Sequence, residues 1–182
     1  MKRILIDGSG RAGTSFLVML LTRLGVNTGF LPYEEDYRSG VRGGCEIGVT
    51  DLDMWNEVPK VVKSPMFIER NRADILGDKI KFKHVIIPVR DIEKAARSRI
   101  QTGIGTGTTS ELEQTKIIAK ALGVALEVCT LKEIPMTTMI FPRLVEDEDY
   151  CYQKLSEVFK LNRKKFEKVF KELANPSQIV FK

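Results

Sequence analysis

Short apolar runs alternate with longer amphipathic stretches along most of the chain. Residues 2–7 have an apolar centre, Ile4-Leu5-Ile6, and run into a glycine-rich turn, which predicts a buried strand. Residues 16–24 are apolar nearly all round, as in a helix packed on a sheet, and Gly25 stops them. A long polar segment, 32–56, follows. Residues 60–63 predict a second strand closed by Pro65, and 68–76 a helix. Residues 84–89 (HVIIPV) predict a third buried strand, although Pro88 is awkward inside one.

Residues 91–100 then read as a helix, and 102–109 (TGIGTGTT) as a loop too glycine-rich to pack. Ser110 and Glu113 form a capping box that opens a helix running to about Leu131. Residues 136–141 predict a fourth strand, stopped by Pro142, and 147–159 and 163–173 two amphipathic helices. Strands separated by helices predict an α/β protein. The expected architecture is three-layer α/β/α, with a parallel sheet of about four to five strands in the manner of P-loop NTPases. A single domain over 1–182 is expected.

Composition narrows the classes. Hydrophobic residues make up 43% of the 182 and charged residues 29%, so disorder and a disulfide scaffold are both excluded. No run approaches the roughly 20 apolar residues of a membrane span, and the apolar start is too short for a signal peptide. A cytoplasmic protein without membrane contact is expected. The net charge of +5 suits an anionic ligand. The one dense basic stretch, Lys160 to Lys171, reads as a solvated helix face, so no nucleic-acid partner is expected. Three scattered cysteines and a single histidine, His84, argue against structural zinc and against a histidine-dependent hydrolase. His84 reads as strand-edge packing and Trp55 as core.

The first strand-to-helix turn carries the sharpest chemistry. Asp7-Gly8-Ser9-Gly10-Arg11-Ala12-Gly13-Thr14-Ser15 fits GxxxxGK[ST] at Gly8, Gly13 and Ser15, with Thr14 in place of the lysine. Backbone N–H groups at a helix N-terminus converge on an anion, and glycine lets the chain approach it. Arg11 restores a cation, and its fork suits phosphate or sulfate oxygens. The lost lysine speaks against an ordinary ATPase or kinase. Asp91 comes closest to a metal-binding aspartate at a strand end, but Arg90 precedes it.

Arg11-Ala12-Gly13-Thr14-Ser15 resembles the R/K-S-G-T-T/S loop of sulfotransferases that use 3′-phosphoadenosine 5′-phosphosulfate (PAPS). Arg90 at a strand end, with Ser98 eight residues on, resembles the pair that holds the 3′-phosphate in that family. Three fainter likenesses follow. Gly43-Gly44-Cys45-Glu46 resembles G-[FY]-[FWY]-E, and Val62-Lys63-Ser64-Pro65 resembles K-x-P. Residues 139–161 resemble the last strand, link and helix pair of bacterial members. The departures are Ala12 for serine, Pro65 where cytosolic members carry a histidine, a link reading Pro142-Arg143-Leu144-Val145-Glu146-Asp147, and a short chain.

The resemblance implies PAPS as co-substrate, no metal, and a small-molecule or glycan acceptor with a hydroxyl or amine. It implies Gly10, Arg11, Ala12, Gly13, Thr14 and Ser15 around the 5′-phosphosulfate, and Arg90 and Ser98 at the 3′-phosphate. Arg11 is the expected catalytic cation. Lys63 is either a second one or a solvated strand-end lysine. With histidine missing, the expected base is a carboxylate: Glu34 or Glu35, or else Glu46. The 102–109 loop either closes over the site or merely connects. Two alternatives stand beside this reading: a P-loop nucleoside or nucleotide kinase using ATP–Mg²⁺, and a non-catalytic nucleotide binder.

Overall fold

The computed structural model describes residues 3–32, 59–103 and 110–174. Its elements are β1 (Arg3–Ile6), α1 (Thr14–Arg23), β2 (Val61–Lys63), α2 (Phe67–Arg70), α3 (Arg72–Leu76), β3 (Phe82–Val89), α4 (Ile92–Gln101), α5 (Glu111–Leu131), β4 (Met136–Ile140), α6 (Arg143–Glu146), α7 (Glu148–Ser156) and α8 (Arg163–Leu173). The four strands form one sheet in the order β2-β1-β3-β4, and every pair is parallel.

Parallel strands buried on both faces must be apolar throughout, and side-chain alternation divides them between two cores. Ile4, Ile6, Val61, Ile86 and Met139 meet α1, α6, α7 and α8 on one face. Leu5, Val62, Val85 and Ile87 meet α2, α3 and α5 on the other. The result is the expected three-layer α/β/α arrangement. Each fully buried Ile or Leu contributes roughly 1.5–3 kcal/mol. Phe16 of α1 stands edge-on to Phe170 of α8, with centroids 5.6 Å apart, and locks the first layer.

The chain runs outward from β1 to β2, then returns to β3 on the other side of β1. Order reverses there, and in open parallel sheets the carboxyl ends flanking such a reversal form the ligand crevice. Pro88 is accommodated at this point. The Asp7 N–H donates to the Ile86 carbonyl as β1 ends, and the Pro88 carbonyl faces Gly8 of the following loop. The missing Pro88 N–H thus lies on the side where strand pairing has already stopped.

The helix bounds differ from expectation in two places. The single helix over 68–76 is two short ones, broken at Asn71. The Asn71 side-chain Nδ2 donates to the Phe67 carbonyl at 2.9 Å and competes with the backbone there. The helix over 147–159 ends at Ser156, after which Val158 N bonds the Leu155 carbonyl and tightens the last turn. Ser110 caps α5 as expected, its side chain accepting from Glu113 N. No described helix is long and apolar enough to cross a membrane.

Candidate anion site

The loop between β1 and α1 is held in a wound shape by left-handed residues: Gly8 (φ 109°), Gly10 (69°), Arg11 (58°) and Gly13 (86°). A β-carbon at Gly8 would stand 2.9 Å from the Pro88 carbonyl oxygen, and one at Gly13 3.0 Å from Leu144 Cδ1. Glycine is therefore favoured at both by φ, and at Gly8 it is required by space as well. Ala12 is buried, which fixes the loop's inner side. Thr14 and Ser15 form the first turn of α1, where the helix dipole favours an anion.

Three neighbouring elements fasten this loop. From β3, Arg90 Nη1 donates to the Arg11 carbonyl at 3.1 Å, and its guanidinium lies 5.0 Å from the centre of the Phe141 ring. From α4, Ser98 Oγ accepts from Arg11 Nε at 3.0 Å, and Arg99 Nη1 donates to the Ser9 carbonyl at 2.8 Å. From the end of β2, Lys63 Nζ donates to Ser15 Oγ at 3.0 Å. Beyond β2, Met66 N donates to the Gly8 carbonyl.

Beneath the loop, the buried Asp7 carboxylate accepts from Phe67 N at 3.1 Å and Ile68 N at 3.2 Å. Burial pushes its pKa up to about 6, against the pull of these and other backbone N–H groups. Burial, and then the charge of Arg90, lower the pKa of Arg11. Arg11, Lys63, Arg90 and Arg99 thus bring four cationic side chains to this loop.

Gly10 to Ser15, Lys63, Arg90 and Ser98 all meet at one end of the sheet. Lys63 is only 3% exposed and lies against Ser15, so it is not a solvated strand end. Asp91 spends its carboxylate on Lys94 N at 2.8 Å as the cap of α4. Among the described residues no cluster of three or more His, Cys, Asp or Glu side chains is placed to hold a metal ion. Glu34, Glu35, Glu46, Trp55 and Cys45 lie outside the described residues, as do positions 104–109 of the glycine-rich loop. His84 bonds Thr137 Oγ1 at 2.8 Å in the first half of β3, away from the crevice.

Two residues that fasten the loop escaped the sequence reading, Asp7 and Arg99. Arg99 had a signal: Ile92, Ala95, Ala96 and Arg99 follow the i, i+3, i+4, i+7 spacing of a buried helix stripe. A scan against protein-family models finds no match to this chain, and a search among curated proteins finds none.

Proposed function

We propose that the chain is a sulfotransferase-like enzyme that moves a sulfuryl group from PAPS to a hydroxyl or amine acceptor. The observation that carries the reading is the convergence of Arg11, Lys63, Arg90 and Ser98 on one glycine-shaped helix N-terminus. Backbone N–H groups of the loop and the Thr14 and Ser15 hydroxyls would take the 5′-phosphate. Arg11 and Lys63 would face the bridging oxygen and the sulfuryl group. Arg90 and Ser98 would take the 3′-phosphate. In the reaction the acceptor atom bonds to sulfur, the bond from sulfur to the phosphate oxygen breaks, and adenosine 3′,5′-bisphosphate leaves. The acceptor's proton passes to a carboxylate, with Glu34, Glu35 and Glu46 as the candidates. Arg11 and Lys63 stabilise the charge that grows on the leaving phosphate.

The Lys63–Ser15 bond separates this reading from an ATP–Mg²⁺ kinase. In a magnesium-dependent P-loop the hydroxyl at the Ser15 position binds the metal. Here an ammonium stands 3.0 Å from that oxygen and supplies the positive charge itself. Calorimetric titration in EDTA tests the proposal. Adenosine 3′,5′-bisphosphate should bind more tightly than 5′-AMP, and magnesium should not matter. Tight binding of ATP–Mg²⁺ with weak binding of the bisphosphate would contradict it.

A further inference from the structure

Arg99 is an unusual charge. Its side chain is only 4% exposed, on the last turn of α4, and it reaches across to the loop that follows β1. Its Nη1 donates to the Ser9 carbonyl at 2.8 Å and touches Met66 Sδ at 3.6 Å. Its Nε is buried and makes no hydrogen bond among the described residues. Among the described residues, neither of its two partners is a carboxylate. The Asp7 carboxylate accepts instead from the N–H groups of Phe67 and Ile68. A buried guanidinium held only by a carbonyl and a thioether loses hydration and gains no counter-charge. In keeping with this, burial lowers its pKa, and among the described residues no opposite charge offsets the effect.

We infer that Arg99 is a positioning residue of the anion site: its guanidinium fixes the Ser9 carbonyl outward and supplies buried positive charge for a bound anion to neutralise. The loop has two carbonyls drawn outward by arginines, Ser9 by Arg99 and Arg11 by Arg90. With those carbonyls held back, the intervening N–H groups are left for the ligand, as in backbone anion nests. Ser98 and Arg99 are neighbours on α4, so one helix end contacts Arg11 through the first and the loop backbone through the second. The inference rests on the anion-cradle part of the proposed function and is independent of which nucleotide is bound.

The test uses the full chain and two probes, inorganic pyrophosphate and adenosine 3′,5′-bisphosphate, with Arg99→Met and Arg99→Lys. Methionine keeps the length and loses the charge, whereas lysine keeps the charge. The expected result is at least a fivefold loss of pyrophosphate affinity in Arg99→Met, with no fall in the melting temperature of the free protein. Arg99→Lys should recover most of that affinity. A folded Arg99→Met with less than a fivefold loss overturns the inference, and so does an Arg99→Lys as weak as Arg99→Met. Should Arg99→Met fail to fold, Arg99→Gln takes its place under the same thresholds. Wild-type binding of pyrophosphate without the bisphosphate would defeat the nucleotide reading and leave Arg99 standing. Wild-type binding of neither would defeat both.

Discussion

Arg11 Nε donates to Ser98 Oγ at 3.0 Å across 87 positions of sequence. A serine hydroxyl that accepts from a guanidinium still has its own hydrogen to give. The contact therefore aims the Ser98 O–H away from Arg11 and offers it to a ligand. It also joins the residue assigned to the 3′-phosphate with the one assigned to the sulfuryl end. Ser98→Ala should weaken adenosine 3′,5′-bisphosphate roughly 10- to 150-fold, the range of one hydrogen bond to a charged group. Melting temperature should barely move. Titration calorimetry beside a thermal melt checks both, and an unchanged affinity removes Ser98 from the site.

Gly8 tests the shape of the loop. Alanine there must hold φ near 109° with its β-carbon 2.9 Å from a backbone oxygen that strand pairing keeps in place. Gly8→Ala should cost about 2–3 kcal/mol. For a chain of this size that is a fall of roughly 4–12 °C in melting temperature. A Gly8→Ala protein that melts with the wild type would mean the loop is not wound in this way.

Asp7 predicts an inverted pH dependence. Its pKa is pushed up to about 6 in the folded protein, from an ordinary value of 3.8. Between those values the folded state binds more protons than the unfolded state, so stability falls as pH rises. Asp7's contribution is fully present below pH 3.8 and is lost by about pH 6, a change on the order of 3 kcal/mol. Asp7→Asn should flatten the stability profile between pH 4 and 6. Urea midpoints across that range provide the check, and identical slopes in the two proteins would refute the assignment.

The proposed function gives Lys63 the role that magnesium plays in a kinase. Its ammonium already sits on Ser15 Oγ. Adding millimolar Mg²⁺ should leave bisphosphate affinity within about twofold, while Lys63→Met should lower it about tenfold or more, as loss of a charge-assisted contact does. A tenfold gain on adding Mg²⁺ would contradict this assignment.

The buried thiols should be inert. Burial pushes Cys129 up to about 11 and Cys151 up to about 12, so neither forms much thiolate near neutrality. Iodoacetamide at pH 8, followed by peptide mapping, should modify both only after denaturation.

Much of this could be read from the chain because local signals and tertiary packing agree. The Ser110 cap, the Arg163–Leu173 stripe and the apolar strand at 84–89 each appear where their pattern places them. The cradle was legible because glycine spacing follows directly from φ. Other features depended on partners distant in sequence. The break at Asn71 comes from one side chain competing for a carbonyl. Lys63 could not be sorted between site and solvent until β2 was paired beside β1, which buries it against Ser15. Arg99 lay hidden because a charged residue in a mixed helix reads as solvated, and only the placement of α4 against the loop reverses that. Asp7 looked like the end of a strand, and its role rests on α2 lying directly below.

Two nucleotides and two proteins decide whether Arg90 reads a 3′-phosphate. Adenosine 3′,5′-bisphosphate and 5′-AMP differ only by that group, so Arg90→Ala should weaken the first far more than the second. The expected losses, measured by calorimetry in EDTA, are roughly 10- to 100-fold for the bisphosphate and under about threefold for AMP. Equal losses for both nucleotides would mean that Arg90 only braces the Arg11 carbonyl, and the sulfotransferase reading would lose its 3′-phosphate site.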